Sequence, residues 1–296
     1  MRHAPISGIT LAILATACFT LNDTLLKLAM RDLPPFQAMA LRSLTVVLTG
    51  LLLLRPIGYG TSLLMMLDSK VQMRNLFELA TAFCFVIGLG HAPIADLTAL
   101  AQTAPILLVL GAVVFLGEGL RPLQLALMIL AFVGAAMVAQ PGLEGVSPYA
   151  LFGLLAAVAA AARDLVSRRM NARIPAIVVI VGAGAIEVMG AGAEGLLTET
   201  WTRPPFFTVL LTCASGIFLM AAHGLIIGAF RTSNVTTVAP FLYMSTFWAL
   251  ASGLLVFGAV PNGLGLMGMA FIAVSGVCIV KAERWSRRAL DIRHLP

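Results

Sequence analysis

Charge is scarce in this sequence. Only 11% of its 296 residues are Asp, Glu, Lys or Arg, against roughly 25% in soluble domains. Hydrophobic types make up 60% before the 27 glycines are counted, where a soluble domain reaches about 45–50% with glycine included. A fold in water has too much surface for so few polar groups to cover, so the solvent around this chain is largely lipid. The same arithmetic excludes disorder, collagen, coiled coil and a disulfide scaffold. Cysteine is sparse as well. Cys18, Cys84, Cys213 and Cys278 stand singly inside apolar runs with no CxxC or His-rich spacing, which supports neither a zinc site nor a disulfide frame and leaves them as small packing hydrophobes.

Other absences narrow the function. None of the lysines, Lys27, Lys70 and Lys281, stands in a GxxxxGK[ST] loop, so a self-contained ATP-driven pump is excluded. HExxH is missing, and Ser275-Gly276 lacks the glycine two residues before the serine that a GxSG motif requires. No catalytic residue, metal or cofactor is therefore expected. The net charge of +6 comes from basic groups set between hydrophobic runs, not gathered on a face, and so predicts no nucleic-acid partner.

What the chain has is long apolar runs. A hydrocarbon core of about 30 Å needs roughly 20 residues of helix, and ten stretches qualify: 6–31, 34–54, 72–91, 93–116, 122–140, 147–169, 173–196, 206–230, 234–257 and 263–282. Turn punctuation separates them at Leu33-Pro34-Pro35, Arg55-Pro56, Ala92-Pro93, Arg121-Pro122, Gln140-Pro141-Gly142, Arg203-Pro204-Pro205 and Val260-Pro261-Asn262-Gly263. The runs are too uniformly apolar for a membrane β-barrel. With the N terminus inside, cytoplasmic segments hold 14 of the 19 lysines and arginines, so both termini are predicted to be cytoplasmic. Arg2 ahead of the first run resembles a signal peptide, but the internal symmetry argues against cleavage.

Shifting the sequence by 141 positions lays its second half on its first. Asn22-Asp23 meets Arg163-Asp164, Lys27 meets Arg168, Pro34 meets Pro175, and Val114-Phe115-Leu116-Gly117 meets Leu255-Val256-Phe257-Gly258. The expected domains are a first repeat over 1–142 and a second over 143–296, which ends in a basic cytoplasmic tail, 281–296. An odd number of crossings per repeat makes the two copies inverted, the architecture in which a midplane site is exposed alternately to either side.

Phe19-Thr20-Leu21-Asn22-Asp23 through Lys27, Pro35-Phe36-Gln37 through Arg42, and Phe115-Leu116-Gly117-Glu118 closing the fourth span resemble the EamA-type drug/metabolite transporter superfamily. The resemblance covers nearly the whole chain. Within the superfamily it resembles the YddG-type exporters of aromatic and other apolar amino acids, which implies a bacterial inner-membrane location. Ala259 stands where a second Glu118 would fall, so a symmetric role for that acid is not implied.

Ionisable groups inside a span cost about 2.5–3.5 kcal/mol at its centre and therefore seek partners or water. Asp23 and Arg42 lie equally far from the turn at 32–33, which puts them at one depth and suggests a pair. Asp23 and Lys27, like Asp164 and Arg168, are four apart on one helix face. Two readings stand for these groups: structural ion pairs with snorkelling bases, or a gate and docking site for a zwitterion. Glu78, Glu187 and His223 sit inside spans three, seven and eight, where a proton is carried, an ammonium is met, or a core histidine is satisfied by its neighbours. Gln102 and Tyr243 fall at mid-depth in spans four and nine, with Thr98, Thr103, Ser245, Thr246 and Trp248 around them. That mixture suits a small amphipathic solute, or else hydrogen-bonds the helices to each other. Pro105 and Pro240 are candidate hinges, or static kinks. The glycines of span seven, Gly182, Gly184, Gly190, Gly192 and Gly195, permit close helix approach.

The fold expected is an all-α membrane protein of ten helices in two inverted five-helix repeats. The function expected is secondary transport that exports small amphipathic metabolites, foremost amino acids, by alternating access, driven by the solute gradient or by protons. S-adenosylmethionine, nucleotide-linked metabolites and cationic drugs are alternative substrates. An intramembrane enzyme or a receptor is the rival from another class, and the first is disfavoured because Asp23 and Asp164 are predicted near opposite membrane faces.

Overall fold

The computed structural model describes residues 7–54, 62–91, 94–140, 148–258 and 262–293, and among these every regular element is helical. The helices are α1 (Gly8–Ala29), α2 (Pro35–Leu54), α3 (Ser69–His91), α4 (Ile94–Ala101), α5 (Ala104–Leu116), α6 (Pro122–Ala139), α7 (Leu151–Arg169), α8 (Ala176–Thr198), α9 (Phe206–Thr232), α10 (Val235–Val238), α11 (Met244–Phe257) and α12 (Gly263–Arg293). In hydrocarbon each backbone N–H and C=O must be satisfied within its own segment, and helices do this. The expected turns at Arg55-Pro56, Ala92-Pro93, Pro141-Gly142 and Val260-Pro261, the 142/143 repeat boundary, Arg2, Ala259 and the basic side chains beyond Lys281 lie outside the described residues.

Seven stretches are long and apolar enough to cross a bilayer: α1, α2, Leu97–Leu116, α6, α8, α9 and Val235–Phe257. Three of the ten expected spans stand outside that set for physical reasons. α3 carries Lys70, Arg74 and Glu78, and α7 carries Arg163, Asp164 and Arg168. The apolar part of α12 is the shorter Gly263–Ile279. As a whole α12 has 31 residues, about 46 Å at 1.5 Å each, so it outreaches a core of about 30 Å.

Contacts sort the helix ends onto two faces. Glu118 beyond α5 meets the start of α10, Arg168 at the end of α7 reaches Glu118, and Lys70 at the start of α3 donates to the Arg169 carbonyl. On the other face the Lys27 ammonium lies over the ring of Phe257, the start of α2 meets Glu199, and Gln140 bonds Asn262.

The main packing partners are α1 with α9, α3 with α7, α2 with α8 and α6 with α12. Further contacts join α2 to α9, α3 to α8, α5 to α7 and α1 to α11. Under the 141-residue shift α1 with α9 becomes α7 with α3, α2 with α9 becomes α8 with α3, and α1 with α11 becomes α7 with α5. Gly117 and Gly258 carry the same register: each ends its helix at φ 66° and sends its N–H to the carbonyl five residues back, Ala112 and Gly253. Only glycine takes that left-handed conformation without strain. α6 and α12 approach through backbone, since a Cβ on Gly134 would lie 2.6 Å from the Gly268 carbonyl oxygen.

Candidate functional site

The interior holds two groups of charge separated by a small cavity. Arg42 of α2 donates to Glu187, which stands halfway along α8, and both side chains are buried. The second group centres on Glu78 of α3. Its Oε2 accepts from Arg74 at 2.7 Å and faces His223 Nε2 at 2.8 Å, while its Oε1 accepts from Arg163 at 3.0 Å. Arg163 also donates through Nε to Asp164 at 2.7 Å, and Arg74 donates to Asn75 at 3.2 Å. Nδ1 of His223 lies 3.1 Å from the Leu219 carbonyl one turn back. A lone buried ion costs several kcal/mol, and only mutual pairing with good hydrogen bonds offsets this. The cavity between the groups is lined by Val46, Glu78, Ile180, Ala183, Gly184, Glu187, Leu219 and His223, with about 10 Å³ open to the centre of a water molecule. That holds roughly one water, so an amino acid enters only if the surrounding helices part.

A second feature lies along the fourth and ninth spans. α4 stops at Ala101, a turn covers Gln102 and Thr103, and α5 resumes at Ala104 with Pro105 in its first turn. There the missing proline N–H costs nothing, because first-turn donors lack intrahelical partners. The ninth span breaks likewise: α10 ends at Val238, a 3-10 turn covers Ala239–Tyr243 with Pro240 inside it, and α11 follows. The first break meets the helix turn that follows the second, because Gln102 donates its side-chain amide to the Thr246 hydroxyl in the first turn of α11.

The expected site residues thus divide. Gln102 and Thr246 are brought together, and Pro105 and Pro240 mark the interruptions. Thr103 and Ser245 bond carbonyls three residues back in their own chain, Leu100 at 2.7 Å and Leu242 at 2.8 Å, and the Ser245 carbonyl faces the Thr20 hydroxyl at 3.4 Å. Thr98 is half-buried on α4. Tyr243 does not face the cavity. It is fully buried in an apolar cluster with its ring 6.5 Å from that of Phe132, and its hydroxyl has no hydrogen-bond partner among the described residues. The Trp248 indole N–H is buried and equally unpartnered there, with its ring edge-on to Phe247.

The charged residues pair differently from the expectation. Arg42 binds Glu187 and not Asp23, because α1 and α2 barely touch: α1 lies on α9, and α2 on α8 and α9. Asp23 is exposed and accepts from Asn22 at 2.8 Å. Nor do the four-apart pairs form. Lys27 sits 4.7 Å over the ring of Phe257. Asp164 holds Arg163, and Arg168 reaches the Phe230 carbonyl at 2.7 Å and Glu118 at 3.8 Å. Arg74, which by its place near the start of the third span reads as one of the 14 cytoplasmic basic residues, is a helix-interior side chain only 1% exposed. Its spacing of four from Glu78 was the available signal. Of the span-seven glycines, Gly182, Gly184, Gly190 and Gly195 face neighbours that a Cβ would press, while Gly192 faces open space.

Two glutamates act at the faces. Glu118 accepts from the backbone N–H of Val235 at 3.0 Å and of Thr236 at 2.9 Å, closing the start of α10. Glu199 accepts from Phe36 at 2.9 Å and Gln37 at 3.0 Å at the start of α2. A carboxylate there satisfies donors that a helix start leaves unpaired.

Several known proteins are similar to this chain. Residues 6–140 match the EamA-like transporter family. The chain is 26% identical over 283 residues to the pseudopaline exporter CntI of Pseudomonas aeruginosa (strain UCBPP-PA14), covering 94% of this chain and 97% of that one. It is 28% identical over 200 residues to a riboflavin transporter of Rhizobium johnstonii, covering 67% and 66% of the two chains. An S-adenosylmethionine uptake transporter of Rickettsia bellii is 22% identical over 217 residues, covering 72% of each. A solved crystal structure superposes with a TM-score of 0.80 at 22% identity, over 94% of this chain and 99% of that one, which shows a shared fold. The family and these relatives are transporters, not enzymes.

Proposed function

We propose, from the match of residues 6–140 to the EamA-like transporter family and from seven stretches long and apolar enough to cross a bilayer, that the chain is a multi-pass secondary transporter exporting small amphipathic metabolites, foremost amino acids. It works by alternating access in a bacterial inner membrane. The observation that carries this reading is the pair of helix interruptions, Gln102-Thr103 and Ala239–Tyr243, which overlap under the 141-residue shift, with Gln102 of the first bonded to Thr246 in the helix turn that follows the second. Broken helices whose halves tilt independently, in two copies of opposite orientation, suit a site exposed to one side and then the other. The 141-residue register of Gly117 and Gly258 and the exchange of packing partners under the same shift support two inverted repeats, divided near 142/143. The face holding the starts of α3 and α10 is the cytoplasmic one under the positive-inside rule, since Lys70, Arg121, Arg168, Arg169, Arg173 and Arg231 belong to it.

The Arg42–Glu187 pair beside the cavity supports a zwitterionic substrate. A solute carboxylate replaces Glu187 on Arg42 while its ammonium meets Glu187, so no buried charge is left bare. A second reading, uptake of S-adenosylmethionine, is favoured by the relatives named for it. That molecule carries the same amino-acid head, and the pair would serve it equally. The test is purified protein in liposomes loaded in turn with labelled phenylalanine, methionine, threonine, S-adenosylmethionine and a cationic drug. Amino-acid flux is expected, and flux of the drug alone would overturn the substrate reading.

A further inference from the structure

The histidine inside the charged cluster carries a proton count of its own. A backbone carbonyl can only accept, so at 3.1 Å from Leu219 O the Nδ1 of His223 bears a hydrogen. A neutral ring so arranged would turn the lone pair of Nε2 toward Glu78 Oε2 at 2.8 Å, lone pair against lone pair. A proton therefore lies between them, held by an imidazolium or by a carboxylic acid. Among the described groups that touch the pair or line the cavity the charges otherwise balance, and Asp23 of α1 stands apart from them, exposed and bonded to Asn22. Arg74 from α3 and Arg163 from α7 balance Glu78 and Asp164, and across the cavity Arg42 from α2 balances Glu187 from α8. From α1 the Phe19 ring meets His223, edge-on at 5.2 Å. Among these described groups the shared proton can leave or arrive while Glu78 keeps both of its arginine partners.

We propose that the His223–Glu78 pair is a proton-binding site in the wall of the substrate cavity and that the transporter exchanges one proton for one solute. The proposal rests on the transporter reading above. Both groups line the cavity that Glu187 also lines, so the ammonium of a bound solute and the proton on His223 stand within one low-dielectric space and repel each other. Proton and solute therefore exclude one another, which is the condition for antiport.

The site is tested without any substrate by nitrogen NMR of the full chain, labelled at histidine, in lipid nanodiscs between pH 5 and 9. His223→Gln, by loss of its signal, identifies the resonance among the four histidines. The expected result is a ring with a proton on Nδ1 and a second shared at Nε2, lost as pH rises. A neutral ring with one fixed hydrogen throughout that range overturns the proposal. The exchange is tested in liposomes with labelled methionine as the probe and the membrane potential clamped. With one proton per solute, a gradient of one pH unit sustains about a tenfold methionine ratio, and His223→Gln loses it. Methionine that equilibrates with no response to the gradient refutes antiport and leaves the transporter reading intact. If methionine does not move at all, the substrate reading fails, and the NMR titration still decides the proton site.

Discussion

At the scale of residues, the interior is a set of matched charges, and each member is defined by what its partner leaves behind. Removing either Arg42 or Glu187 strands the other in a buried place, a loss of about 3–5 kcal/mol. Arg42→Ala and Glu187→Ala should each lower the unfolding temperature in detergent sharply, whereas Arg42→Met with Glu187→Leu recovers most of the stability and still carries no solute. A double-mutant cycle on thermal unfolding, with flux measured alongside, checks both parts. Tyr243 offers the opposite case. Its hydroxyl is buried without a partner among the described residues, and such a group costs about 1–3 kcal/mol. Tyr243→Phe should therefore stabilise the protein, and a fall in flux in the same variant would show that the hydroxyl meets the solute. The candidate site was half legible here. Glu78, Glu187, His223 and Arg42 stand out because charge in an apolar run is conspicuous, but Arg74 hides near a helix start, where it reads as a loop cation.

Elements show where local signals suffice. Pro105 and Pro240 sit in the sequence at the two places where the spans break, since a missing N–H acts within one turn of the chain. Glycine is less readable, because close approach depends on what lies opposite. Gly134 meets the Gly268 carbonyl, while Gly192 has nothing within 4 Å of a Cβ. Gly134→Leu should part α6 from α12 and cost about 1–3 kcal/mol or more. Gly192→Ala should be tolerated and gain up to about 1 kcal/mol of helix propensity. Thermal unfolding of the two variants side by side separates the positions. Hydropathy alone would also demote α3 and α7, whose interior charges Arg74, Glu78, Arg163 and Asp164 are satisfied by each other and by His223.

At the scale of the whole molecule, the two halves interleave: each helix of the first half finds its main partner in the second. Reporter tags at the two termini should both be accessible from the cytoplasm, and tags on opposite sides would break the inverted arrangement. The sequence by itself determined the apolar helical class, the approximate bounds of the helices and the absence of pump and protease motifs. These follow from hydropathy and short spacings, which are local and additive along the chain. Only the tertiary structure decided that Arg42 meets Glu187 and not Asp23, and that Glu78 gathers Arg74, Arg163 and His223. Pairing depends on which helices are neighbours. Helices apolar on nearly every side carry no periodic stripe to say which face turns to which, so their neighbours are set by shape and by the burial of charge.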